Sequence, residues 1–211
     1  QRDHLALDVI TFPQVLQSAG YKTGIFGKWH LGDEKEYLPS ARGFDEMLIH
    51  GAGGIGQSGW GDFFANDENC YFDNVLLHNE EVVQTKGFCT DLFFHAGLAW
   101  MKDRIEAKES YFAYIPLNAP HGPMIAPEKY TKRFLNDGYD EKTAGRYGMI
   151  ENIDDNISLI DEKPKLFYTV NSGVYLFNKK ILKVIKKIKK RKIDINEFIN
   201  FLVKKKFKVK L

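Results

Sequence analysis

Two short segments contain the residues whose types and spacing best suit chemistry, and the first is Gly27-Lys28-Trp29-His30-Leu31-Gly32. It places a lysine and a histidine two positions apart, and the flanking glycines allow the backbone to approach a ligand closely. An ammonium beside an imidazole at the end of a strand suits a tetrahedral oxyanion. A surface turn with an incidental lysine fits the same spacing, so this segment alone indicates an anion site without establishing one.

The second segment is Asn118-Ala-Pro-His121-Gly-Pro123. A proline on each side of His121 restricts the backbone that carries the imidazole. Such restriction helps to orient a catalytic histidine, although a single loop histidine is more often simply exposed to solvent. Both interpretations stay open on the spacing of this segment alone.

The elements that must position these segments follow an alternation of helices and strands, which predicts an α/β layer structure. Apolar spacing predicts a helix over residues 11–19, which Gly20 ends. Residues 22–27 form a predicted buried strand that delivers Lys28 to its carboxyl end, where open α/β sheets place ligands. Residues 111–117 form a second buried strand that leads into the histidine loop. We also expect a loop over 51–69, a strand pair over 71–83 turning near Asn79, a helix over 90–105 with Leu92, His95, Ala96 and Ala99 on one face, and a helix over 145–157.

The two segments and the stretch between them resemble the sulfatase family. The motifs that carry the resemblance are residues 27–32, 39–45 and 118–123, and the stretches 11–24 and 147–157 fit the family as well. The resemblance covers residues 1–157. It implies a fragment of an alkaline-phosphatase-like mixed sheet flanked by helices.

The resemblance also implies a reaction, the hydrolysis of sulfate esters by a formylglycine nucleophile with a divalent cation, usually calcium. Lys28 would bind a sulfate oxygen and reach toward the formylglycine, and His30 would hydrogen-bond the formylglycine hydroxyl. His121 would contact the sulfate or the bridging oxygen and support the leaving group, because such groups offset charge that grows in the transition state. The expected substrate is a sulfated small molecule or glycan. The resemblance also implies that the intact enzyme is exported to a periplasm or out of the cell.

The sequence departs from the family pattern at the nucleophile and at the metal. The nucleophile motif and the first aspartate pair precede this region in the family, and neither Cys70 nor Cys89 has a C-x-x-x-R context. The later Asp-Asn metal pair is not seen; Asp154, Asp155 and Asn156 belong to the preceding helix, at its solvated end. We therefore expect no metal ligands here and no hydrolysis by this chain alone.

The last part of the chain differs sharply in charge. Residues 1–160 carry 14 basic and 24 acidic residues, a net charge of −10, whereas residues 161–211 carry 16 and 4, a net charge of +12. Residues 158–211 resemble the later part of sugar-phosphate nucleotidyltransferases, a small α/β tail in which Glu162, Lys163 and Asn171 would be sugar contacts. The Gly-rich nucleotide-binding start of that family is missing.

These contrasts predict two unlike parts, a partial sulfatase domain over 1–157 and a basic nucleotidyltransferase-like tail over 158–211. Joining of two unrelated coding fragments explains them most simply and predicts poor solubility, because strand edges and cores would be incomplete. The alternatives to a sulfatase fragment are a nucleotidyltransferase fragment, confined to the tail, and a non-catalytic chimera that binds polyanions.

Three other patterns in the sequence do not indicate a function. No run of about 18 apolar residues occurs, so no membrane-spanning helix is predicted. The G-x-G-x-x-G match at residues 51–56 leads into no helix, so a loop near the substrate is favoured over a dinucleotide site. The lysine-rich run at 186–192 has helical apolar spacing and no interleaved aromatics, which favours a solvated helix face over nucleic-acid binding.

Overall fold

The computed structural model describes residues 4–51, 53–55 and 71–160, and the backbone of residues 168–170 and 173–175. These residues form a mixed seven-stranded sheet flanked by helices, as the sequence predicts. The order of the strands across the sheet is β4-β3-β2-β1-β5-β7-β6. The strands are β1 Lys22–Lys28, β2 Glu46–His50, β3 Val75–His78, β4 Glu81–Gln84, β5 Tyr111–Tyr114, β6 Tyr168–Val170 and β7 Gly173–Tyr175. The helices are α1 Phe12–Ser18, α2 Cys89–Glu106, α3 Glu128–Asn136 and α4 Glu141–Ser158. A 3₁₀ turn spans Pro39–Arg42.

Strand β1 lies in the middle of the sheet and pairs in parallel with β2 on one side and β5 on the other. Its residues alternate between two cores: Phe26 packs with α2, while Ile25 belongs to a smaller cluster on the opposite face. Both side chains are almost fully buried. Because the three strands are parallel, their carboxyl ends meet at one edge of the sheet.

The motif at residues 39–45 has a structural role. The guanidinium of Arg42 is buried and donates to the carbonyls of Ala6, Leu7 and Val9, at 2.7 to 3.2 Å. The Asp45 carboxylate accepts the Thr23 backbone N–H at 2.9 Å. The motif thereby ties the amino-terminal segment and β1 to the start of β2.

Helix α2 is present where the sequence predicts it. Of the four residues that the spacing places on one face, His95 and Ala99 are exposed. The buried side is formed by Cys89, Thr90, Phe93, Phe94, Gly97, Trp100 and Met101. The helix is apolar around most of its circumference, so residue spacing does not single out one face. Packing of the aromatic residues against the sheet selects it.

Helix α4 starts earlier than expected, at Glu141, where the Asp140 side chain accepts the Thr143 N–H. Asp154 and Asp155 are exposed, as predicted, but the placement of Asn156 at the solvated end is wrong. Asn156 is buried, and both Asn152 and Asn156 donate side-chain N–H groups to Asp91 Oδ1 at 2.6 Å. One carboxylate thus joins α2 to α4.

The predicted strand pair over 71–83 is confirmed as the antiparallel pair β3–β4, with Asn79 at positive φ in its turn. Two elements were not predicted, β2 and α3. In the last part of the chain, β6 and β7 pair antiparallel within the predicted strand-like stretch, and β7 aligns Tyr175 with Tyr114 of β5. Glu162, Lys163, Asn171, Cys70, most of the 51–69 loop and the predicted lysine-rich helices lie outside the described residues.

Candidate active site

The carboxyl ends of β1 and β5 enclose a cleft of about 570 Å³. The Lys28 backbone N–H donates to the Pro116 carbonyl at 2.7 Å and fixes the two segments against each other. Gly27 permits this approach, because a Cβ at that position would overlap the same carbonyl oxygen. The cleft thereby brings together all three residues that the motifs single out; its lining is Lys28, Trp29, His30, Leu31, Tyr114, Pro116, Leu117, Asn118, Ala119, Pro120 and His121.

Lys28 ends β1 with its side chain about half buried. Burial lowers the pKa of its ammonium from the usual value for lysine. Within the described part of the chain, the ammonium has no hydrogen-bond or ion-pair partner. A partly desolvated cation without a counter-charge attracts an anionic ligand more strongly than an exposed lysine does.

His30 follows β1 and His121 follows β5; both line the cleft, and both are solvent-exposed. Gly53 lies against the His30 ring so closely that a Cβ there would come within 2.7 Å of Cε1 and nearer still to Nε2. His121 Nδ1 lies 2.9 Å from the Gly122 carbonyl, which can only accept, so Nδ1 carries a proton. Nε2 of His121 is then left to face a ligand.

Sequence reasoning missed His50, the last residue of β2. The strand register places it directly beside Lys28, and its side chain is buried. Burial lowers the pKa of His50 to about 4, with a smaller contribution in the same direction from the Lys28 charge, so the imidazole is neutral at pH 7. Its Nδ1 lies 2.6 Å from the Gly51 carbonyl and is the protonated nitrogen. The only signal in the sequence is a histidine that ends the apolar run 47–49 before a glycine.

The cleft is electropositive within an acidic part of the chain. No Asp or Glu is among its lining residues in the described segments, although residues 1–160 carry a net charge of −10. Among the described residues that line the cleft, Lys28 is therefore the only lysine, arginine or carboxylate, although Asp33 acts on neighbouring His50 from outside this lining. Such a site favours an anion with several acceptor oxygens.

The described segments contain no cluster of three or more His, Cys, Asp or Glu side chains able to hold a metal ion. No residue of these segments is therefore assigned to calcium. Cys89 is buried at the first turn of α2 and does not line the cleft, so it does not fit the position of a formylglycine nucleophile.

The fold and the cleft define an α/β protein with a cationic anion site at the carboxyl edge of its parallel strands. A family model described as Sulfatase matches residues 3–165, so the chain belongs to the sulfatase family. A second model, described as Nucleotidyl transferase, matches residues 125–210 and overlaps the first. The resemblance of the main part to sulfatases is confirmed, and the tail has a match in the family that its motifs resemble.

Relatives and solved structures agree with this assignment. An uncharacterized sulfatase of Schizosaccharomyces pombe is 32% identical over 60% of this chain and 24% of its own length. N-acetylgalactosamine-6-sulfatase of Rattus norvegicus is 24% identical over 79% of this chain and 33% of its own. The crystal structure of Ps i-CgsB in complex with a neocarrahexaose superposes with a TM-score of 0.64 at 23% identity, over 75% of this chain and 37% of that one.

The chain thus spans between a quarter and a third of the length of these curated relatives. None of the helices among the described residues has both the length and the apolar character needed to cross a bilayer.

Proposed function

We propose that this chain supplies the part of a sulfatase that binds the sulfate group of a sulfate ester. The observation that carries the proposal is the half-buried Lys28 ammonium, which has no partner among the described residues and faces a cleft with His30 and His121. In the whole enzyme Lys28 would bind a sulfate oxygen, His30 would orient the nucleophile, and His121 would support the departing oxygen. The family resemblance implies these roles, and they suit donors placed where negative charge moves onto the ester oxygens.

The proposal for this chain is limited to binding. Family members use formylglycine and calcium, but no described residue fits either, so no chemical step is assigned to them here. We expect the isolated chain to bind sulfate and to leave aryl sulfates unhydrolysed.

Sulfated glycans are the substrate class that we propose for the whole enzyme. One relative is named as acting on N-acetylgalactosamine 6-sulfate, and one similar structure holds a carrageenan-type oligosaccharide. By the same family argument, the whole enzyme would act in a periplasm or outside the cell.

The test is a calorimetric titration of the full chain with sodium sulfate at low ionic strength. Lys28→Met keeps the length of the side chain and removes its charge, and a charge-assisted hydrogen bond is worth about 1.5–3 kcal/mol, so binding should weaken by about 10- to 100-fold. Lys102→Met is the matched control, because Lys102 lies on α2 with 76% of its side chain exposed. Equal sulfate affinity in wild type and Lys28→Met would refute the proposal.

A second candidate function rests on the nucleotidyl transferase match over residues 125–210. Under it, residues 158–211 form a nucleotidyltransferase-like tail in which Glu162, Lys163 and Asn171 contact a sugar, and residues 1–157 form the sulfatase part. A rise in melting temperature with a sugar nucleotide, lost in Asn171→Ala, would support it. Long reads of the source DNA across codons 150–170 would show whether the two parts belong to one gene.

A further inference from the structure

The side chain of Asn118 is the least explained polar group of the cleft. It lines the cleft just after β5 and is only 6% exposed, yet its Nδ2 has no hydrogen-bond partner within the described part of the chain. Nearly all buried amide donors in proteins are hydrogen-bonded, because an unpaired donor loses its bonds to water and gains no bond within the protein. A donor of this kind on the floor of an anion cleft points to a ligand.

The local turn does not need this side chain. The backbone carbonyl of Asn118 accepts the His121 N–H at 2.8 Å, and that bond alone closes the turn from 118 to 121. Serine or alanine at position 118 could make the same backbone bond. The amide is therefore available for another purpose.

His50 lies close enough to the Asn118 side chain for the two to interact. Since Nδ1 of His50 faces the Gly51 carbonyl, its Nε2 presents a lone pair, and this buried atom also has no partner among the described residues. A side-chain amide has two N–H groups. Neither of them forms a hydrogen bond with His50 Nε2, so both remain available to a ligand.

We propose that Asn118 is a further sulfate-binding residue of the cleft, whose amide donates to a sulfate oxygen beside Lys28. The inference rests on the proposed function, because it concerns the same sulfate site. It adds an uncharged donor to the three groups that the motifs identify.

The first experiment follows the full chain, labelled with ¹⁵N, through a sodium sulfate titration. The Asn118 side-chain NH₂ signals should shift with the same midpoint as the Lys28 backbone amide. Asn118→Asp keeps the shape of the side chain and replaces the donor by an anionic acceptor, so sulfate affinity should fall at least about tenfold. Asn136→Asp makes the same change of charge at the exposed end of α3 and should leave the affinity within twofold.

The outcomes separate the two proposals. If sulfate shifts Lys28, but the Asn118 NH₂ signals stay fixed and Asn118→Asp binds normally, the inference is overturned and the proposed function stands. If sulfate moves neither residue, both are overturned. Should Asn118→Asp fail to fold, the titration of the unmodified chain decides the question by itself.

Discussion

Replacing Gly53 by alanine should push the His30 ring out of its place in the cleft. The new Cβ would lie 2.7 Å from His30 Cε1, which is 0.7 Å short of the 3.4 Å at which ordinary contact begins, and nearer still to Nε2. The backbone cannot easily yield, because Ile55 is buried in the main core and the Gly51 carbonyl faces His50. The imidazole, at the end of a side chain, must therefore move by at least about 0.7 Å.

A displacement of this size has measurable consequences. A misplacement of about 1 Å can reduce catalysis by about 10²-fold, so the whole enzyme should lose most of its activity. In this chain the direct readout is the His30 ring itself, because His30 is assigned to the nucleophile and not to sulfate. The His30 Cε1–H signal in a ¹H–¹³C spectrum should shift, while the melting temperature should stay within a few degrees.

Gly122→Ala is the matched control beside His121. A Cβ there would meet only the Met124 terminal methyl, at 4.0 Å, so the His30 signal should not change. If Gly53→Ala left the His30 signal in place as this control does, the conclusion that Gly53 positions His30 would be refuted.

Three further predictions concern stability. Asp91→Ala should lower the free energy of unfolding by about 3 kcal/mol, because two buried amides lose their acceptor; Asp103→Ala, exposed on the same helix, should change it by less than about 0.5 kcal/mol in urea unfolding. Because the pKa of His50 is lower in the folded chain, the unfolded chain binds the proton first as pH falls. The free energy of unfolding should therefore keep its full value above pH 6.5 and fall by about 3 kcal/mol toward pH 4. The pH dependence of urea unfolding should flatten in His50→Leu, and a curve like that of wild type would refute this assignment. Arg42→Met should lower the free energy of unfolding by about 2 kcal/mol, because the hydrogen bonds to three backbone carbonyls are lost. It should also raise the rate of hydrogen exchange over residues 5–10, and unchanged exchange there would contradict the anchoring role.

The site residues that could be predicted from the sequence are those flanked by glycines or prolines. Glycines around Lys28 and His30, and prolines around His121, mark unusual backbone, and backbone requirements can be read from one segment. His50, Gly53 and Asn118 were missed as functional residues because their importance arises only from the pairing of β2 and β5 with β1. Pairing across strands far apart in sequence leaves no local periodicity to read.

The errors in the elements have a similar physical origin. Strand β2 begins directly after the motif at 39–45, and both of its faces are covered, so it shows neither a turn boundary nor an alternation of polar and apolar residues. Helix α3 is short and mostly polar and buries only Tyr130, but Tyr130 and Phe134 have helical spacing, so a periodic signal was present and was overlooked. The buried side of α2 could not be read from residue spacing because packing, rather than composition, selects it.

The placement of β1 between β2 and β5 has a consequence for how the protein folds. The β1–β5 contact aligns Lys22 with Tyr111, so a long intervening stretch must be organised before the cleft exists. Contacts of such long range make folding slow, and interactions formed after the rate-limiting step act chiefly on the unfolding rate. Sulfate should therefore protect the native chain by slowing its unfolding, with little effect on the rate at which it folds.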